Sequence, residues 1–110
     1  MNFRTQRTSG SSAAVAMTIA PAYPWELHEI RLHNASGSFA ATAFTATMDA
    51  GAGAKHDTIV YTNSMSGSSN LRATFVPPLR FTHYSDQVDF AYANGSNAKY
   101  GLEVIYRLLI

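Results

Sequence analysis

Apolar and polar residues alternate along most of this chain, and the alternation has the two-residue period of strands. Val15, Met17 and Ile19 share one parity within 13–20, against Ala14, Ala16 and Thr18 on the other, which predicts a strand with one buried face. Pro21 and Pro24 then mark a turn, since proline cannot donate to a ladder. In the segment from Trp25 to His33 the apolar parity switches: Trp25 and Leu27 share one side, Ile30 and Leu32 the other. A β-bulge near His28-Glu29 would restore one continuous apolar face, because it adds a residue to one strand of a pair. The rival is a short helix, as Leu27 and Ile30 stand three apart. Pro24 and Asn34-Ala35-Ser36-Gly37 leave it little room, so the bulged strand is the preferred reading.

The pattern continues to the end of the chain. Phe39 to Met48 carries Thr42, Phe44, Ala46 and Met48 on one parity, and after the flexible loop Asp49–Lys55 the segment from His56 to Asn63 alternates again. Leu71, Ala73 and Phe75 alternate until Pro77-Pro78, which should end the run; Leu79 to Tyr84 is short and mixed. Val88, Phe90 and Tyr92 form a clean series before the turn Asn94-Gly95-Ser96-Asn97, whose residues tolerate positive φ. The longest series is Tyr100, Leu102, Val104, Tyr106, Leu108 and Ile110, which predicts a long or central strand with its end docked in a sheet or against a partner. Seven or eight short strands with turn signals between them predict an all-β chain, an antiparallel β-sandwich of jelly-roll type. Residues 13–110 are expected to form that single domain, and residues 1–12 a flexible, extended N-terminal arm.

Composition narrows the function classes. The chain has 110 residues, enough for one core. Only 14% of them are charged and the net charge is +1, which speaks against a nucleic-acid or membrane surface. Cysteine is absent, which removes disulfides, thiol nucleophiles and thiolate metal sites. No apolar run approaches the ~20 residues of a membrane span. Arg4, Arg7, Ala13–Ala20 and Ala20-Pro21-Ala22 loosely fit a secretory signal, but Ser9-Gly10-Ser11-Ser12 interrupts it, and the arm is preferred.

Candidate chemistry is sparse. His28, His33, His56 and His83 show no compact ligand spacing, so no metal is expected. Gly51-Ala52-Gly53-Ala54-Lys55 lacks the Lys-Ser/Thr ending of a phosphate loop, because His56 follows. No serine lies in a nucleophile elbow, and Asp86 and Asp89 sit where solvated capping is usual. The expectation is a protein without catalytic residues or cofactor. Tyr23, Trp25 and Tyr84 lie near turns and could form a sugar-stacking platform, whereas Tyr92, Tyr100 and Tyr106 alternate into the core. Asn34-Ala35-Ser36 and Asn94-Gly95-Ser96 fit the glycosylation pattern. In the arm, Phe3, Arg4 and Arg7 are the residue types that anchor interfaces, and removing Met1 to Thr8 should leave the sandwich folded while weakening attachment to a partner.

Trp25 to His33, then Met48-Asp49-Ala50-Gly51 running through His56-Asp57-Thr58 into Ile59-Val60-Tyr61, then Asp86 to Asn94 and Tyr100-Gly101-Leu102-Glu103-Val104, together resemble small β-sandwich accessory virion proteins of tailed bacteriophages. The likeness spans about Trp25 to Tyr106, and none of its motifs carries a binding residue across. It implies a structural protein of the capsid surface, a cement or decoration protein that binds the major capsid protein as a homotrimer. The alternative is a tail- or fibre-associated module that binds carbohydrate through Tyr23, Trp25 and Tyr84.

Overall fold

The computed structural model describes residues 2–37, 39–40 and 42–110. Eight strands form: β1 (Phe3–Ser11), β2 (Val15–Ile19), β3 (Trp25–Asn34), β4 (Ala43–Asp49), β5 (Thr58–Ser64), β6 (Asn70–Phe81), β7 (Gln87–Tyr92) and β8 (Lys99–Leu108), with a 3-10 turn at Ala54–His56. They pair antiparallel in two four-stranded sheets, β1-β8-β3-β6 and β2-β7-β4-β5. This is the eight-stranded jelly roll, an antiparallel β-sandwich. Of the consecutive strands, only β4 and β5 are neighbours in one sheet.

The core lies between the sheets and is filled by the parities read from the sequence. Val15, Met17 and Ile19 are buried from β2, Phe44 and Ala46 from β4, Val88, Phe90 and Tyr92 from β7, and Tyr100, Leu102, Val104 and Leu108 from β8. The bulge is where the parity switch requires it. The register of β3 against both β6 and β8 shifts between Leu27 and Glu29, and Trp25, Leu27, Ile30 and Leu32 are all buried. Trp25 donates its indole N–H to the Asp86 carbonyl at 3.0 Å and packs on Phe81 with ring centroids 4.6 Å apart. β8 is central between β1 and β3, but it ends at Leu108 and leaves Ile110 exposed.

Two expectations need correction. Residues 3–11 of the supposed arm are β1, paired with β8 from Phe3↔Arg107 to Ser11↔Lys99; Met1 lies outside the described residues. The Gln6 amide donates to the Thr18 carbonyl at 3.0 Å, tying β1 to the opposite sheet, and Gly10 lies against Tyr100 so closely that a Cβ would come within 2.9 Å of its ring. No side chain of β1 is buried; the backbone ladder holds it. The second correction concerns Pro77-Pro78, which does not end β6. The register against β3 passes from Leu27↔Leu79 to Glu29↔Thr74, so Phe75–Pro78 loops out opposite the bulge and the strand resumes to Phe81. β6 is an edge strand, where a missing N–H donor is tolerated.

Because β1 covers one edge of β8, deleting residues 1–11 should lower the melting temperature by more than about 8 °C, since 1 kcal/mol corresponds to ~4–8 °C in a domain this small. Thermal melting followed by circular dichroism checks it. An unchanged melting temperature would restore the picture of an arm outside the fold.

Candidate functional site

The strands of the first sheet bury their apolar parity and turn the other outward, and that outward parity concentrates charge. All three glutamates and five of the six arginines of the chain lie there. The bulge is the local cause: inserting His28 puts Glu26 and Glu29 on the same face although they are three apart. Glu26 accepts two hydrogen bonds from the Arg80 guanidinium, at 2.7 and 3.2 Å, and lies 3.9 Å from Arg107 and 3.1 Å from the His28 ring. Glu29 pairs with Arg31 and, at 3.3 Å, with Arg72, and accepts the Thr74 hydroxyl at 3.3 Å. Glu103 on β8 pairs with Arg7 on β1 and stands 3.7 Å from Arg31 on β3. The network therefore runs across all four strands.

Arg80 beside Glu26 holds its carboxyl below the ordinary 4.5; burial opposes this, and His28 and Arg107 add to the lowering. At Glu29 burial is the largest influence and pushes upward, but Arg31 and Arg72 together outweigh it, and the net shift is also downward.

The anchors proposed from the sequence divide between faces. Phe3 and Arg7 lie opposite Arg107 and Glu103 on the charged face, and Phe3 meets the His28 ring edge-on with centroids 4.9 Å apart. Arg4 has the other parity, opposite Tyr106, and donates to the Phe3 carbonyl at 3.3 Å. The other four arginines and the glutamates were missed as a site. Their signal was present: Glu103 and Arg107, or Arg31 and Glu29, share the parity opposite to the apolar one.

The remaining candidates have structural roles or stand apart. Trp25 is fully buried and cannot join a sugar platform, while Tyr23 and Tyr84 are exposed. Tyr84 stacks on His83 at 4.7 Å and lines a cavity of about 170 Å³ with Ala20, Ala22, Ser85, Asp86 and Gln87. Tyr92 and Tyr100 are buried as expected. The buried Asp86 carboxylate accepts the Gly51 N–H at 2.8 Å and the His83 N–H at 3.1 Å, clamping the glycine-rich connection to the β6–β7 connection. A Cβ at Gly51 would lie 2.2 Å from the His83 ring, so close approach explains that glycine. Among the described residues no three His, Asp or Glu side chains converge as metal ligands. Both glycosylation-pattern asparagines are buried. Asn34 accepts the Ser36 N–H at 2.8 Å, and Asn94 bonds to Ala13 and Ala98, so neither side chain is offered to solvent.

The outer face of the second sheet contrasts with the first. Ala16 and Thr18, Ala91 and Asp89, and Thr45 and Thr47 lie across from one another there, with Asp49 at the end of β4 on the same parity, and Asp89 accepts the Thr18 hydroxyl at 2.5 Å.

No family model and no curated protein matches this chain. Among solved structures it is similar to the family 32 carbohydrate-binding module of C. perfringens NanJ, solved in complex with galactose, at 10% identity and a TM-score of 0.52, covering 94% of this chain and 93% of that one. It is also similar to the Drosophila NLP core, a structure bearing on pentamer formation and histone binding, at 12% identity and a TM-score of 0.49, covering 96% and 98%. The likeness to the NanJ module shows a shared β-sandwich fold.

The lowered glutamate values make stability depend on pH with a defined sign. The folded chain resists protonation more than the unfolded one, so the stabilisation is complete above the ordinary 4.5 and is lost as pH falls through the folded values. Melting temperatures should hold steady down to about pH 5 and then decline. The double variant Glu26→Gln, Glu29→Gln should start lower at neutral pH and decline less steeply. A wild-type melting temperature that rises as pH falls toward 3 would refute this account.

Proposed function

We propose that this chain is a structural protein of a tailed-bacteriophage virion, a cement or decoration protein that binds neighbouring subunits of the major capsid protein at the capsid surface. The observation that carries the reading is the charged face of the first sheet. Arginines from all four strands share this face, and Phe3 and Arg7, two of the anchors singled out in the sequence, lie on it. A surface of this kind acts by contact, since arginine and aromatic side chains are enriched where proteins meet. The resemblance described above supplies the virion setting, and the jelly roll is a fold shared by viral capsid and lectin domains. A homotrimer is the working state in this reading: the low charge content and the alanine- and threonine-rich outer face of the second sheet leave surface that gains from being covered.

A second reading, a tail- or fibre-associated carbohydrate-binding module, is favoured by the cavity beside exposed Tyr84. An aromatic ring next to a small cleft is the element that stacks on a sugar ring.

Two experiments separate these readings. Antibody labelling of purified particles in electron micrographs should mark the shell, and label confined to the tail or absent from particles would overturn the cement assignment. On a glycan array the wild-type protein should show no signal that Tyr84→Ala abolishes; a sugar bound at least tenfold more weakly by that variant would establish the second reading instead.

A further inference from the structure

We propose that the outer face of the β1-β8-β3-β6 sheet is a docking surface for the carboxylate-rich surface of another protein. This rests on the contact-protein reading above and adds the location and the chemistry of the partner. The charges on this face are layered. The side chains of Glu26 and Glu29 are only 4% and 11% exposed and Glu103 33%, whereas Arg72, Arg7 and Arg80 are 69%, 68% and 62% exposed. Carboxylates thus lie against the sheet and guanidiniums lie over them. An approaching molecule meets arginine.

The carboxylates below do not exhaust the donors above. A guanidinium has five N–H donors and a carboxylate about four acceptor sites, and here five guanidiniums share three carboxylates. Lys99 stands on the same outward parity at the far end of β8, beyond Glu103. The buried glutamates also hold the arginines in place, so little side-chain freedom remains to be lost on docking. Outward donors held in fixed positions suit bidentate pairing with carboxylates.

The partner is a protein surface and not a nucleic acid. Duplex DNA presents one charge per ~1.7 Å and is bound by neutralising many phosphates at once. This chain has a net charge of only +1, and three glutamates already offset part of the charge of the five arginines on this face, so it offers few of the positive charges that a phosphate backbone needs. Phe3 lies partly exposed at the edge of the same face, the kind of aromatic contact that accompanies arginine in protein interfaces.

The test uses the full chain and a fluorescent 20-residue poly-L-glutamate peptide, with duplex DNA of equal charge as the competing probe, read by anisotropy. Binding to polyglutamate should be measurable at low salt and weaken as salt is added. Arg7→Gln with Arg72→Gln should weaken it tenfold or more, and Arg7→Lys with Arg72→Lys, which keeps the charge but loses the planar fork, by less. Lys55→Gln, which loses a charge from the β4–β5 connection, should bind like wild type. Circular dichroism and melting confirm that each variant is folded. Equal loss in Lys55→Gln and in the Arg7→Gln, Arg72→Gln double variant, DNA binding as tight as polyglutamate binding, or no polyglutamate binding at all would each overturn the proposal. A protein that binds polyglutamate through this face yet is found on no particle would overturn the virion assignment alone.

Discussion

The bulge at His28 is the constraint on which both faces of the first sheet depend. With strict alternation, either Trp25 and Leu27 or Ile30 and Leu32 would point to solvent, because a one-residue slip moves every later side chain to the other face. The extra residue lets all four enter the core. The same insertion gathers Glu26, Glu29 and Arg31 on the outside, within reach of arginines on β6 and β8. Apolar closure and charge clustering are thus two results of one backbone irregularity. It is matched across the β3–β6 pair by the stretch Phe75–Pro78, which drops out of the ladder.

A charge network of this kind contributes less through raw stability than through register. Exposed ion pairs are individually worth little, and buried carboxylates have a desolvation cost that their partners must offset. What the network adds is alignment: sliding β8 by a residue against β1 or β3 would separate Glu103 from both Arg7 and Arg31. Between β8 and β3 the apolar parity forbids odd slips and the ion pair disfavours even ones, while β1, which has no apolar series, is aligned by Arg7 alone. Together they leave one pairing.

The sequence was legible wherever a strand had one wet and one dry face. β2, β7 and β8 alternate cleanly, and the bulge announced itself as a switch of parity in β3. β1 was illegible for a physical reason: Phe-Arg-Thr-Gln-Arg-Thr-Ser-Gly-Ser carries no apolar series, because an edge strand held by its ladder to β8 buries little side chain. Pro77-Pro78 misled because proline stops a central strand but not an edge that loops out. Phe3 and Arg7 were recognised as anchors by residue type, yet Arg4, of the same type as Arg7, faces the other way; parity can be assigned only once a segment is known to be a strand. The charged face was written in the outward parities, but its assembly needs the strand order β1-β8-β3-β6, which no local pattern specifies.

The position of β8 has a consequence for how the molecule comes into being. Of the eight strands it is the last to be synthesised, and it is the one that joins β1 to β3. Until it emerges, β1 has no partner in its sheet, and β3 has only β6. The second sheet is different, since β2, β4, β5 and β7 all precede β8 and can pair with one another beforehand. On a ribosome adding ~5–20 residues per second, the nascent chain therefore passes through a stage with one sheet available and the other divided, its core-facing apolar residues uncovered. Closure of the sandwich waits on its final strand, and a chain cut short before β8 would lack two of the three strand pairings on which its charges are arranged.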